Sequence, residues 1–313
     1  MAPDMIKSDV SVIIPCLNEE ENVVQIVAAV SKELAAAEVT YEIIIIDNAS
    51  VDRTVALAKG LCEADSRVRL IVNNRNYGQM RSPAHAIYQS RGRAVIGIGA
   101  DFQDPPELIG EFIARWRAGA PIVLAVRASE DSSMFLKGLR GLGYGFFSRF
   151  ADYPVIPGAT GFGLYSREVV DQLARWREPE PFFRGMLVES GYDIATIPYV
   201  RPPRAAGETK NNVWTLLSFA LSGVAGSSKN LLRLPLYVAA LTALAAAAAL
   251  LAAPVAAVLG ATPWPWIWLA IIELNFAMVF FFAGLIGEQV RVISERTRNV
   301  PLVIEKERVN FAE

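Results

Sequence analysis

The stretch Ala94-Val95-Ile96-Gly97-Ile98-Gly99-Ala100-Asp101-Phe102-Gln103-Asp104-Pro105-Pro106-Glu107 decides the fold class. Ala94 to Ile98 is a continuous apolar run that reads as a buried strand, and Pro105-Pro106 reads as the first turn of the next helix. Ligands of open α/β sheets sit at the carboxyl ends of strands. Asp101, Gln103 and Asp104 therefore fall where oxygen ligands would hold a nucleotide phosphate and a hard divalent cation. Acids that only cap a helix after a strand give the same string, so its neighbours carry the decision.

On either side, strand and helix signals alternate. Val10 to Pro15, Tyr41 to Ile46, Val68 to Val72 and Pro121 to Val126 read as further strands. Helices are expected over Glu19 to Leu34, Val51 to Cys62, Gln79 to Ser90 and Glu107 to Ala118. Uninterrupted Ile/Val runs mean strands covered on both faces, which predicts an α/β fold with a doubly wound, mostly parallel sheet. Beyond Met134 the pattern loosens to a helix over Phe135 to Phe150, a short strand over Gly161 to Tyr165, a helix over Arg167 to Trp176 and a strand over Tyr192 to Tyr199.

With 313 residues the chain has room for one α/β domain of about 200 residues and a second part. A net charge of −2 advertises no polyanion-binding surface and argues against nucleic acid as a partner. Cys16 and Cys62 have neither metal nor redox spacing and read as core thiols. Residues before Val10 are few and polar, without a signal-sequence pattern, so the first part is expected in the cytosol.

The last third differs. Leu231 to Leu259 carries no charge except Arg233, and Trp264 to Ile286 is interrupted only by Glu273 and Asn275. Each is long enough for a span of about 20 residues, which predicts a hairpin of two transmembrane helices at about 231–253 and 264–286. Lys229 and Arg233 precede the first span, Arg291, Arg296 and Arg298 follow the second, and the connecting loop has no basic residue. Both termini are then expected in the cytoplasm of a bacterial inner membrane, with Trp264, Trp266 and Trp268 as the belt at the far interface. Asn212 to Val224 shows helical apolar spacing that suits either an interfacial helix or a helix packed on the sheet. Glu273 and Asn275 are expected to face a second helix or subunit, which gives a route to a homo-oligomer.

Three more strand ends carry polar groups. Asn18 follows the first strand and is expected to cap a helix that begins with Glu19-Glu20-Glu21. Asp47-Asn48-Ala49-Ser50-Val51-Asp52 follows the second, and Asn74-Arg75-Asn76-Tyr77-Gly78-Gln79 follows the third. Each alone is ordinary turn chemistry; four along one sheet make one cleft. His85, the single histidine, reads as a surface or packing residue rather than a catalytic one.

In order along the chain, Ile13-Ile14-Pro15 with Asn18-Glu19-Glu20, Asp47 to Asp52, Asn74 to Gly78, Asp101 to Glu107, Phe183-Arg184-Gly185 and Arg201 to Lys210 resemble one family. It is the inverting family 2 glycosyltransferases of GT-A fold, in the branch of dolichyl-phosphate mannose synthases and bacterial polyprenyl-phosphate glycosyltransferases. The resemblance implies a GT-A domain over 1–210; the hydropathy pattern adds an interfacial helix over 211–228, the membrane hairpin within 229–287 and a cytosolic tail over 288–313, of which Asn299 to Phe311 is expected to be extended and able to pair with another subunit's sheet. It implies a nucleotide-sugar donor, a UDP-sugar ahead of a GDP-sugar, held at Pro15, Asn18, Glu19, Asp47, Asn48 and Asn76. Asp101 and Gln103 would bind Mg²⁺ or Mn²⁺, Arg127 would face phosphates, and Arg201, Arg204 and Lys210 would bind the acceptor phosphate or the diphosphate.

The chain departs from that pattern at three places. Asn48 replaces the second of a paired acid, Gly99 the first acid of Asp-x-Asp, and Thr160-Gly161-Phe162-Gly163 a Gly-Asp-Phe-Arg segment. Transfer can survive these losses when the acceptor is a phosphate with a second pKa of about 6, because it is already largely ionised and needs positioning rather than a strong base. Asp104 is then a base toward a hydroxyl acceptor or an electrostatic support for a phosphate acceptor. The expected reaction moves one sugar to polyprenyl (undecaprenyl) phosphate. Transfer to a lipid-linked saccharide in cell-surface polysaccharide assembly and a degenerate scaffold subunit are the alternatives.

Overall fold

The computed structural model describes residues 8–128, 156–202, 264–298 and 300–311. The expected helix at Phe135 to Phe150, the loop residues Arg204 and Lys210, the helix at Asn212 to Val224 and the first membrane span lie outside the described residues. The elements in chain order are β1 (Ser8–Cys16), α1 (Val23–Ala36), β2 (Tyr41–Asp47), α2 (Thr54–Ala64), β3 (Val68–Asn73), α3 (Gly78–Gln89) and β4 (Gly92–Gly97). A 3₁₀ turn (Pro106–Leu108) leads into α4 (Ile109–Arg117), followed by β5 (Ile122–Arg127), β6 (Ala159–Ser166), α5 (Arg167–Arg175), α6 (Phe183–Glu189) and β7 (Ile194–Tyr199). After the gap in description come α7 (Trp264–Arg298) and β8 (Glu305–Val309).

One sheet of eight strands runs in the order β7-β5-β6-β4-β1-β2-β3-β8. The central β4-β1-β2-β3 ladder is parallel, with Cys16 beside Asp47 and Asp47 beside Val72, so the carboxyl ends of these strands lie in one row. β6 is antiparallel to both β4 and β5, and β8 is antiparallel to β3. The sheet is therefore mostly parallel, as expected, with β6 and β8 reversed among its eight strands. Buried Ile/Val runs report that both faces are covered and say nothing of strand direction.

Alternate side chains of each strand feed two cores. Val12, Ile14, Ile43, Ile45 and Phe162 pack with α1 and α4 on one face, and Ile13, Ile44, Ile46, Val95 and Tyr165 pack with α3, α5 and α6 on the other. Phe112 of α4 meets Phe162 edge-on at 4.9 Å, and Phe162 meets Tyr199 at 5.9 Å. This aromatic column anchors the ends of β6 and β7, each large ring contributing about 2–3 kcal/mol by burial. Gly163 lies inside the sheet where a Cβ would overlap the Val123 carbonyl oxygen, so no larger residue fits there. Cys16 and Cys62 are buried and free, as expected of core thiols.

Two local expectations are corrected. α1 begins at Val23 rather than near Glu19, and Asn18 does not cap it: the Asn18 Oδ1 accepts the Val51 N–H at 2.9 Å. The β1–α1 connection is laced to the β2–α2 connection, with Asn18 N–H on Ser50 Oγ, Glu19 N–H on Thr54 Oγ1 and Glu20 N–H on Asp52 Oδ2. Cross-loop bonds outcompete an early helix start. The tail, expected as a strand for another subunit's sheet, pairs as β8 with β3 of its own chain. Counted over the described side chains alone, no helix is long and apolar enough to cross a membrane. Many side chains of α7 fall outside that description.

Candidate active site

The cleft runs along the carboxyl ends of the parallel strands, and its two halves differ in chemistry. At the β2 and β3 ends lie amides. Asn48 Nδ2 donates to Asn76 Oδ1 at 2.8 Å, while Asn48 Oδ1 accepts from Asn73 Nδ2 at 3.1 Å and from the Tyr77 N–H at 2.8 Å. Asn76 Oδ1 also accepts the Gly78 N–H, at the first residue of α3. Asn48 and Asn76 thus hold each other and set the shape of the Asn74–Gly78 loop. A carboxylate at position 48 could accept the bonds that Asn48 Oδ1 takes but could not donate to Asn76, which explains an amide there.

Asp47 sits at the centre of this half and is 0% exposed. Its Oδ2 accepts the Ser50 N–H at 3.0 Å, and its Oδ1 is buried without a hydrogen-bond partner. An orphaned buried acceptor is costly, by about 1–3 kcal/mol, unless a ligand supplies a donor. Glu19 accepts Asn22 Nδ2 at 2.8 Å, and Pro15 lies on β1 beside Ile46 of β2.

The other half gathers acids and guanidinium groups at the ends of β4, β5 and β7. Phe102, with φ of 57°, turns the chain so that Asp101 Oδ1 accepts the Gln103 N–H at 3.2 Å. Asp104 Oδ2 accepts the Gly99 N–H at 3.3 Å, and Asp104 Oδ1 accepts the Tyr199 hydroxyl at 3.2 Å. A Cβ built on Gly99 would lie 3.3 Å from Asp101 Oδ1 and 3.3 Å from Asp104 Oδ2, so both carboxylates flank this glycine. Burial pushes the Asp104 carboxyl above its ordinary range; the Gly99 N–H pulls it back, Asp101 adds to the rise, and Tyr199 and Arg127 oppose it.

Arg127 ends β5 directly beside Tyr199 of β7, and its Nε is buried without a partner. Burial also raises the Tyr199 phenol, the Asp104 charge adding to the rise and the neighbouring Arg127 guanidinium opposing it. Arg201 reaches across from the end of β7 and donates through Nη2 to Gln103 Oε1. Asp101, Gln103, Asp104, Arg127 and Arg201 therefore lie together, as the sequence suggested. Tyr199 and Thr160 join them without a sequence signal: one sits at the end of a strand that reads as core, the other inside the departed Gly-Asp-Phe-Arg segment. Gly161 has φ of 94°, a conformation that strains any L side chain, so the acid lost there cannot be restored without moving the backbone.

The sequence model of glycosyl transferase family 2 matches residues 11–174, from β1 through α5. The chain belongs to glycosyl transferase family 2. This family 2 glycosyltransferase is 29% identical to the uncharacterized glycosyltransferase YkcC of Bacillus subtilis, over 94% of this chain and 92% of that one. It is 32% identical to the prophage bactoprenol glucosyl transferase homolog of Escherichia coli, over 73% of this chain and 75% of that one. Among solved structures, a Pyrobaculum calidifontis mannosyltransferase in complex with GDP-Man and Mn²⁺ shares 20% identity, with a TM-score of 0.47 over 96% of this chain and 89% of that one.

Proposed function

We propose that this glycosyltransferase moves one sugar from a nucleotide sugar to polyprenyl phosphate at the cytoplasmic face of a bacterial inner membrane, with inversion at the anomeric carbon. One observation carries the reading: the carboxylates and amide that end β4 meet two guanidinium groups from the ends of β5 and β7, beside the amide-lined pocket of Asp47. The amide half suits a nucleoside, whose N–H and O–H donors would satisfy Asp47 Oδ1. The mixed-charge half suits a diphosphate, a cation and a phosphate nucleophile.

The donor atoms near Asp101 fit a hard divalent cation held jointly with a substrate. Among the described residues no three His, Cys, Asp or Glu side chains form a metal cage. Mg²⁺ and Mn²⁺ are commonly held by one or two carboxylates plus phosphate oxygens, which matches Asp101 and Gln103. When bound, such a cation offsets the charge that develops on the departing diphosphate. Arg201 shares Gln103 Oε1 and so orients that amide. Arg127, with an unused buried N–H, is placed to receive a phosphate oxygen.

Asp104 is tied by the Gly99 N–H and the Tyr199 hydroxyl, so it fixes Tyr199 and supports Arg127. A phosphate acceptor is already an anion at neutral pH and asks for no proton transfer. The bactoprenol glucosyl transferase relatives support this acceptor, as does the apolar run of α7, about 23 residues from Trp264 to Ile286, or roughly 35 Å at about 1.5 Å per residue. Within α7, Asn275 Nδ2 donates back to the Ile271 carbonyl at 2.8 Å. The basic residues outside the two apolar runs support a catalytic domain and termini on the cytoplasmic side.

The test is nucleoside diphosphate release by the purified full chain, with UDP- and GDP-sugars and Mg²⁺ or Mn²⁺. Release that depends on added polyprenyl phosphate is expected. Release unchanged by that lipid but driven by a lipid-linked saccharide would move the acceptor, and no release with any donor would leave a scaffold.

A further inference from the structure

The strongest unexplained feature lies outside the matched family region. Residues 300–311 form a strap that runs along the edge of the sheet and then pairs with β3 as β8, with Leu70 opposite Val309 and Val72 opposite Glu307. It is anchored along its whole length. Val303 is 4% exposed, Arg81 donates to the Pro301 carbonyl at 3.1 Å, His85 contacts Glu305, and Lys59 pairs with Glu307 at 2.7 Å. Asn310 Nδ2 donates to the carbonyls of Cys62 and Val68 at 2.7 and 2.8 Å.

Its contact with the nucleotide half of the cleft is specific. The Asn74 N–H donates to the Ile304 carbonyl at 3.1 Å, and the Ile304 N–H donates to the Tyr77 hydroxyl at 3.2 Å. That hydroxyl donates in turn to Asn74 Oδ1 at 2.7 Å. The backbone N–H of the same Tyr77 donates to Asn48 Oδ1, inside the amide network next to Asp47. The Arg75 guanidinium lies 4.0 Å from the Tyr77 ring centre and completes the clasp. One residue thus touches the strap through its side chain and the pocket through its backbone.

We infer that Tyr77 is a positioning residue through which the C-terminal strap holds the donor pocket in its binding shape. The inference rests on the reading of that pocket as a nucleotide site. The Asn74–Gly78 loop, ending in a glycine with φ of 81°, is held on one side by the Asn48–Asn76 amides and on the other by this clasp. With the clasp intact, the loop enters binding already ordered; with the clasp broken, only the Asn48–Asn76 side still holds it, part of the ordering must come from the nucleotide, and affinity falls. The strap starts at Val300, just beyond the end of α7 at Arg298, so the membrane-proximal helix and the donor pocket are joined by a short connection.

Two variants break the same bond from opposite sides. Tyr77→Phe removes the hydroxyl, and Ile304→Pro removes the N–H that donates to it while keeping the Ile304 carbonyl. Calorimetric binding of UDP and GDP with Mn²⁺ to the full chain in detergent is the readout, beside steady-state kinetics for donor and acceptor. Each variant is expected to weaken nucleotide binding and raise the donor KM by about three- to tenfold, with kcat and the acceptor KM nearly unchanged. The double variant is expected to be no worse than Tyr77→Phe alone, because that variant removes both bonds of the hydroxyl and Ile304→Pro removes one of the same two. If wild type binds nucleotide and Tyr77→Phe binds it equally well, the strap is structural only and the inference is overturned. Wild type that binds neither nucleotide overturns the donor-site reading and the inference with it. Additive losses in the double variant would show that the Tyr77–Ile304 bond is not the link.

Discussion

Restoring an acid at position 99 tests the electrostatics of the cleft. In Gly99→Asp the new Cβ lands 3.3 Å from both Asp101 Oδ1 and Asp104 Oδ2, so the new carboxylate sits near two existing ones. Gly99→Asn supplies nearly the same volume without charge, and the difference between the two variants isolates repulsion. For carboxylates about 4–6 Å apart at an effective dielectric constant of about 20, each pair costs about 3–4 kcal/mol. Asp104, whose carboxyl burial already raises, can take up a proton and relieve part of that. The expected net penalty of Asp over Asn is about 2–4 kcal/mol at neutral pH, or a thermal midpoint lower by roughly 5–15 °C for a domain of this size. The assay is thermal unfolding of the full chain without divalent cation and again with Mn²⁺ and UDP. A bound cation offsets the excess negative charge, so the gap between the variants should narrow on addition. Equal midpoints without cation, or a gap that widens with it, would refute the placement of the two carboxylates and the cation around Gly99.

Asp101→Ala is expected to lower turnover by about two orders of magnitude or more while leaving the unfolding midpoint near wild type, since Asp101 is the carboxylate assigned to the cation. A Mn²⁺ titration of turnover reads this directly, and near-normal activity would refute it. Arg204→Ala and Lys210→Ala should each raise the KM for polyprenyl phosphate about ten- to a hundredfold, equivalent to about 1.5–3 kcal/mol, with donor KM little changed; weaker donor binding would reassign the loop to the diphosphate. Burial raises the Glu305 carboxyl, but Arg308 and His85 together hold it below its ordinary 4.5. Its contribution to stability is therefore complete above 4.5 and is lost as pH falls through the lower folded-state value. The midpoint difference between wild type and Glu305→Gln should be present at neutral pH and shrink as pH falls below 4.5 through the lower folded-state value; a difference that persists undiminished in acid would contradict the pairing.

The strand ends were the legible part of this chain. Apolar runs at Val10, Tyr41, Val68 and Ala94 stop at polar residues, and parallel pairing then forces those residues into one row, so Asp47, Asn48 and Asp101 could be placed together from the sequence. Direction was not legible for β6. Its Gly161 and Gly163 reflect a positive φ and a close approach to Val123, requirements of a strand wedged between β4 and β5 that appear only in three dimensions. Tyr199 and Thr160 were missed because a tyrosine in an apolar strand and a threonine before a glycine look like packing and turn residues. β8 was missed as an intrachain strand because Glu305-Lys306-Glu307-Arg308-Val309 is charged and alternating, the pattern of an exposed edge, and an edge strand can pair with its own sheet or with another's.

The measurement that bears most directly on the central claim is the identity of the product. Purified full chain, nucleotide sugar, Mn²⁺ and polyprenyl phosphate are incubated together, and the lipid fraction is read by mass spectrometry and by phosphorus and proton magnetic resonance. The account predicts a phosphodiester between the anomeric carbon and the polyprenyl phosphate, with anomeric configuration opposite to that of the donor, formed in step with nucleoside diphosphate. Free sugar without a lipid product, or a lipid product that retains the donor's configuration, would contradict it.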